Sequence, residues 1–198
     1  MKRAGHLFEQ VSDFQALYRA ARRAARGKGG THSAAYFLFH MEGEIFALQR
    51  EILDGSYTPR PYRTFYISDP KPRTISAADF RDRVAHHALC VALEPLFERA
   101  SIFDSYACRP GKGSHLAVRR AQYFARRFGR FLKLDIRKFF ESSDHQILKT
   151  ALRRLVKDQR LLGLADRIVD HGAPGSAPGK GLPIGNLTSQ HFANFYLA

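Results

Sequence analysis

Tryptophan is missing from this 198-residue chain, and only two cysteines are present, Cys90 and Cys108. With no CxxC pair among them, neither a disulfide framework nor a thiolate zinc site is expected, and a reducing cytoplasm is the simplest setting. No apolar run approaches the roughly 18 residues that a membrane span requires, so no membrane partner is expected. The opening MKRAG is not followed by the apolar core of a signal peptide. Acidic residues are scarce, 18 against 32 Lys and Arg, which leaves a net charge of +14. The deficit is deepest from Arg109 to Lys138, where ten basic residues accompany a single acid, Asp135. A surface of that sign suits a polyanion, and nucleic acid is the partner class it points to.

Hydrophobic residues make up 44% of the chain, enough for a folded core and against global disorder. Periodicity predicts a helix over Leu7 to Arg26 ending at the turn Gly27 to Gly30, and a second over Ala34 to Leu53 stopped by Asp54-Gly55. The stretch TPRPYRTFYISDPKPRTIS reads as extended segments and turns, and Ala78 to Glu98 returns to a helical pattern. Leu116 to Phe128 is the clearest amphipathic helix, with Val118, Ala121, Phe124, Ala125 and Phe128 on a face expected to join the core. Arg119, Arg120, Arg126 and Arg127 fall on the opposite face with no acid among them, a pattern that favours phosphate contact over plain solvation. A strand is expected at Phe131 to Ile136. A helix should follow, capped by Ser143 with Gln146 at the capping-box spacing and burying Ile147, Leu148, Leu152 and Leu155. His171 to Gly181 reads as a flexible loop or one that folds over a partner, and a final helix begins near Leu187 and runs to the end of the chain. No internal repeat or domain linker is evident.

The chemistry-bearing candidates are few. Gly175 to Lys180 spells GxxxGK rather than GxxxxGK[ST], and Gly181 stands where a magnesium-binding hydroxyl belongs, so a nucleotide-binding P-loop is not supported. Histidines are scattered without metal-ligand spacing. Asp135, at the end of the apolar run in FLKLDIRKFF, is different. A carboxylate on a buried strand needs a cationic partner, and Mg²⁺ prefers carboxylate and carbonyl oxygens. On the residues alone it stays open between a metal ligand and a turn or cap residue. Four blocks occur in order: PKPRTIS from Pro70, SYACRPGKGSHLAV from Ser105, FLKLDIRKFF from Phe131, and GLPIGNLTSQHFANFYLA from Gly181.

Over roughly Tyr62 to Ala198 these blocks resemble the fingers and upper palm of bacterial reverse transcriptases, the lineage of group II intron, retron and diversity-generating retroelement enzymes. The resemblance implies an α+β fold: helical fingers with a short hairpin, joined to part of an antiparallel palm sheet, with no thumb. Residues 1–60 would form a helical fingers extension, 61–130 the fingers and 131–198 a partial palm. It implies RNA-directed DNA synthesis by two-metal transfer, with a template RNA, a DNA or RNA primer and dNTPs as partners. Two Mg²⁺ ions, held roughly 4 Å apart, would serve the complete site. Asp135 would be its first catalytic aspartate and the backbone carbonyl of Ile136 a further ligand. Phe140 would lie under the incoming sugar and exclude a 2′-hydroxyl, while Phe139 packs inward. Lys71, Arg73, Arg109 and Lys112 match positions that meet the triphosphate or the template backbone. Ile184, Gly185, Ser189 and Gln190 form the string IGxxxSQ, similar to the retroelement enzymes, where most relatives carry QG followed by SP. That likeness implies misincorporation opposite template adenine, because isoleucine lacks the amide that would distinguish correct from incorrect pairs. A basic accessory protein is a further partner that the retroelement group allows. The second catalytic aspartate of the family, in a [YF]xDD hairpin, would lie beyond Ala198, so the chain is expected to be a truncated or fragmentary enzyme that cannot polymerise alone. A noncatalytic RNA-binding module is the alternative, as is an enzyme of the group II intron or retron type.

Overall fold

The organising element is a long central helix. In the computed structural model, which describes residues 2–28, 30–68 and 71–198, this helix (α5, Phe80–Ala100) buries most of its circumference, with Val84, Ala85, Ala88, Leu89, Ala92, Leu93 and Leu96 among its buried residues, and leaves a stripe of Val91, Pro95 and Arg99 exposed. A helix with so wide a buried surface must be wrapped by others. Asp79 caps its start by accepting from the Arg81 N–H.

Its wrapping comes first from α1 (Phe8–Ser12) and α2 (Phe14–Ala24), then from α3 (His32–Phe39) and α4 (Met41–Asp54). Sequence periodicity anticipates one helix where α1 and α2 stand and another where α3 and α4 stand; each is broken once. Asp13 takes an extended conformation (ψ 139°) and its carboxylate accepts from the Ala16 N–H, so it ends α1 and caps α2. His40 leaves the helical region at φ −101°, ψ 28° and separates α3 from α4. Gly55, in the left-handed region at φ 79°, stops α4 where Asp54-Gly55 was expected to stop it. Of the anticipated turns and blocks, Gly29, Asp69 and Pro70 lie outside the described residues.

The proline-rich stretch forms an antiparallel hairpin of β1 (Arg63–Ile67) and β2 (Arg73–Ala77), in register from Arg63 opposite Ala77 to Ile67 opposite Arg73. It is the only sheet among the described residues. Helix α6 (Ser114–Ala125) follows α5, and then come α7 (Phe139–Ser142), α8 (His145–Leu155), α9 (Gln159–Asp170) and α10 (Leu187–Tyr196). Helix α9 carries no sequence expectation, although Asp158 caps it from Leu161 and Leu161, Leu162, Leu164, Ala165, Ile168 and Val169 fill its inner face. The other carboxylate oxygen of Asp158 accepts from the Leu7 and Phe8 N–H groups at 3.2 and 2.9 Å, fastening the first helix to the last third of the chain. One core therefore draws on 7–97 and 148–195 together. The architecture, helix-rich with a small antiparallel sheet, fits the expected α+β class.

Between Ser101 and Lys138 no described residue is buried. Two expectations fail there. The apolar side of α6 does not join the core: Val118 is 56% and Phe128 63% exposed. Phe131 to Ile136 is not a strand, and Phe131, Leu132 and Leu134 stand in solvent. Strand geometry needs a hydrogen-bonding neighbour, and the lone described sheet, β1–β2, does not extend to this segment. The cap of α8 is also shifted by one residue. Asp144 rather than Ser143 accepts from Gln146 and Ile147, since an ionised carboxylate is the stronger acceptor, while the Ser143 hydroxyl donates to Phe139 O at 2.7 Å. Ile147 turns outward, and Leu148, Leu152 and Leu155 are the buried stripe. The loop after α9 folds back on α8: His145 donates its backbone N–H to Gly179 O, and Gly181 donates to Ser143 O.

Candidate nucleic-acid interface

The hairpin and the GLPIGN turn, more than a hundred residues apart in sequence, are stitched together. Ser76 N donates to Ile184 O at 2.8 Å. Asn186, 3% exposed, accepts from Ala78 N at 3.2 Å and donates through Nδ2 to Ser76 O at 2.9 Å. Gly185 (φ 112°) lies so close to the hairpin that a Cβ there would come within 2.7 Å of Ile75 Cγ2, so glycine is needed twice over. Leu182 N donates to Phe140 O at 2.7 Å, which adds Phe140 to the same corner. Arg73 opens β2, Lys71 precedes it, and Ile184, whose carbonyl takes the Ser76 bond, is half-buried. Of the expected nucleotide-contact residues, Phe140, Ile184 and Gly185 thus belong to one corner of the fold, while Arg73 and Lys71 lie toward the turn end of the hairpin.

Other expected residues are placed differently. Ser189 is interior, 2% exposed in α10, and Gln190 is on the surface near Cys108. Arg109 is tied into the protein: Nε and Nη2 donate to Glu98 at 2.9 and 2.6 Å, and Nη1 donates to the Ile102 and Ser105 carbonyls at 2.7 and 2.8 Å. That hydrogen bonding holds the Glu98 carboxyl below the usual range. Lys112 donates to Phe103 O at 2.8 Å with its ammonium 3.8 Å from the Phe103 ring centre. Arg120 is forked onto Asp104 at 2.8 and 3.1 Å, and this pairing lowers the Asp104 carboxyl. Arg127 bonds to the Tyr123 hydroxyl. Arg119, in the middle of α6, and Arg126, its C-cap, lie two turns apart on one side of the helix and make no ion pair among the described residues.

Asp135 and Ile136 lie in the exposed segment ahead of α7, and Lys138 turns the chain through φ 53° into that helix. Among the described residues no three His, Cys, Asp or Glu side chains come together to hold a metal ion. Asp135 and the Ile136 carbonyl are donors of the hard-oxygen kind that Mg²⁺ prefers, fewer than the two-ion centre expected of a complete site needs. Phe139 packs edge-on against Tyr196 at 5.8 Å and lies against the core, as expected, and Phe140 sits edge-on to it at 5.7 Å.

Sequence reasoning passed over Asn186, whose two buried hydrogen bonds lock the corner, and the aromatic partners of the cations around Asp104. A signal for the second existed: Arg120, Tyr123, Phe124 and Arg127 stand at three- and four-residue steps, the spacing that brings side chains together on a helix. No helix among the described residues is long and apolar enough to cross a membrane.

No family model matches the chain. It is 29% identical to Protein YkfC of Escherichia coli (strain K12) over 165 residues, 78% of this chain and 43% of that protein. It is 32% identical over 87 residues to Nuclear intron maturase 1, mitochondrial, of Arabidopsis thaliana, covering 44% of this chain and 12% of the maturase. It is 27% identical over 166 residues to Group II intron-encoded protein LtrA of Lactococcus lactis subsp. cremoris, 79% of this chain and 27% of that protein. The chain spans less than half the length of these curated relatives. Its homologues are thus intron maturases and group II intron-encoded proteins, at modest identity, in keeping with the reverse-transcriptase-related blocks of the sequence.

Proposed function

We propose that this chain is the RNA-handling fingers and part of the palm of a reverse-transcriptase-related protein of the intron-maturase kind. The observation that carries the reading is the corner in which the β1–β2 hairpin, the GLPIGN turn and Phe140 are hydrogen-bonded together. It joins three of the four sequence blocks that suggested the family, and relatives named as intron maturases and a group II intron-encoded protein align with most or part of the chain. The basic span from Arg109 to Lys138 supplies the electrostatic attraction for a phosphate backbone. RNA-directed DNA synthesis, with Asp135 as one catalytic carboxylate and with Ile184 relaxing fidelity at adenine, is the activity proposed for a complete enzyme of this kind.

A second reading has its own support. Among the described residues Asp135 joins no cluster of three or more His, Cys, Asp or Glu side chains, as suits a module that binds RNA without chemistry. Fluorescence anisotropy of labelled RNA, titrated with the purified 198-residue chain at several salt concentrations, tests what the two readings share. Binding should weaken steeply with salt, and replacing Arg119 and Arg126 with Gln should reduce the slope of log K against log salt by about one each. Salt-independent or undetectable binding would remove both readings. A primer-extension assay on the same preparation separates them: no extension is expected, whereas Asp135-dependent extension would establish the enzyme and discard the module.

A further inference from the structure

Five aromatic rings stand in solvent on the unburied span after α5: Phe103 at 70% exposure, Tyr123 at 45%, Phe124 at 38%, Phe128 at 63% and Phe131 at 93%. Isolated exposed rings are ordinary, but three of these lie within 5.5 Å of cations that are themselves hydrogen-bonded, and Tyr123 and Phe124 stand edge to face. Lys112, anchored on Phe103 O, places its ammonium 3.8 Å from the Phe103 ring centre and 5.0 Å from that of Tyr106. Arg120, anchored by Asp104, lies 4.5 Å from the Phe124 centre and 5.5 Å from those of Phe103 and Tyr123. Arg127 lies 5.0 Å from Tyr123. Tyr106 completes the frame by donating its hydroxyl to Asp104 at 3.0 Å. Cations in this position are attracted to ring faces and hold the rings in place.

We infer that Phe103, Tyr123 and Phe124 form a stacking platform for the unpaired bases of single-stranded RNA, with Arg119 and Arg126 as its phosphate contacts. Lys112, Arg120 and Arg127 then act chiefly as supports for the rings rather than as phosphate ligands. This reassigns three of the basic residues that the sequence pattern groups together. Bases paired in a duplex have their faces occupied by their neighbours and cannot stack on side chains, so the platform selects unpaired strand. The local charge, ten basic residues to one acid from Arg109 to Lys138, favours a polyanion over a neutral protein surface as the occupant. The inference rests on the proposed RNA-binding function and specifies the form of RNA that function takes.

The test is anisotropy with the full chain, using a fluorescein-labelled 12-nucleotide oligoadenylate and a 12-base-pair RNA duplex. Phe103→Leu removes a ring that is largely in solvent and Phe124→Leu one that is partly so, neither in the core, and their circular dichroism should match wild type. Each is expected to weaken single-strand binding about tenfold, since stacking contributes on the order of 1–3 kcal/mol per base. Duplex affinity and the salt slope should stay unchanged. Tyr123→Phe, which keeps the ring, should bind like wild type, and Tyr123→Leu should not. Arg119→Gln with Arg126→Gln should weaken both RNAs and lower the slope. Ring variants that bind the single strand as wild type does, or that lose single strand and duplex equally, would overturn the platform and leave RNA binding standing. A wild-type chain that binds neither RNA, or that binds only an acidic peptide, would overturn the underlying function as well.

Discussion

Asn186 shows how much of the corner hangs on one side chain. Its amide satisfies one backbone donor and one backbone acceptor of the hairpin's end, all in the interior. An Asn186→Ala replacement would strand the Ala78 N–H and leave the Ser76 carbonyl without that donor. A buried unsatisfied group costs about 1–3 kcal/mol, so a loss of roughly 2–4 kcal/mol is expected in urea melts. Asn186→Asp keeps the acceptor but sets a buried carboxylate oxygen against the Ser76 carbonyl, so at neutral pH it should cost at least as much as Asn186→Ala. Gly185→Ala acts by a different route, since its φ of 112° and the 2.7 Å approach to Ile75 make both backbone and Cβ unfavourable. It should destabilise by about 1–3 kcal/mol, and a full-strength melt for that variant would mean that the turn and hairpin do not meet as described.

Among the elements, α6 is the exception, because no residue in it is buried and its N-cap, Gly113, offers no side chain to its first turn. A 12-residue helix without tertiary packing is marginal in water. Hydrogen exchange read by mass spectrometry should therefore find α6 amides exchanging by local opening, well ahead of α5 amides, which exchange only through global unfolding. Equal protection in the two would contradict the exposure of α6. The loop before it is better held, through the four bonds of Arg109, and Arg109→Lys should open 101–113 to protease several-fold while leaving the melt nearly unchanged, since lysine cannot reproduce the fork. These elements also show where a sequence is readable. Periodicity finds α5, α8 and α10 because their apolar residues meet partners within the chain, whereas the hairpin stretch reads as extended from its proline and β-forming residues although β1 is exposed throughout. It misplaces the faces of α6 and the strand at 131–136 because amphipathic pattern states what a segment can bury, not whether anything lies opposite it. The breaks at Asp13 and His40 were missed for a local reason: one capping carboxylate or one backbone turn overrides several residues of helical pattern. Asp135 was conspicuous as the lone acid of a basic span, yet a coordination shell is a property of residues brought together in space, and spacing could not supply its partners.

At the scale of the whole molecule, the helix that organises the core also carries an acid-sensitive group. His86 on α5 is 2% exposed, and neither ring nitrogen has a hydrogen-bond partner among the described residues. Burial pushes its pKa down from 6.5 to about 3, helped by the adjacent positive potential of His87, His171 and Arg83. His87 and His191 are lowered too, first by burial. The direction of the linkage follows from the depressed value. Above pH 6.5 the imidazole is neutral in folded and unfolded chains, and its contribution to stability is fully present. As pH falls toward 3 the unfolded chain takes up a proton that the folded chain refuses, so stability declines by up to about 1.4 kcal/mol per pH unit for this one group. Between pH 6.5 and 4.5 that amounts to about 2 kcal/mol, a sizeable share of the 5–15 kcal/mol typical of a domain. His86→Leu fills similar space, removes two unpartnered nitrogens and cannot titrate. Urea melts from pH 8 to 4.5 should show the variant losing much less stability than wild type over the acid half of the range, with the two closest near pH 8. Parallel curves for the two proteins would locate the acid sensitivity elsewhere, in the carboxylate pairs of the surface, and would mean that α5 opens to water before His86 is protonated.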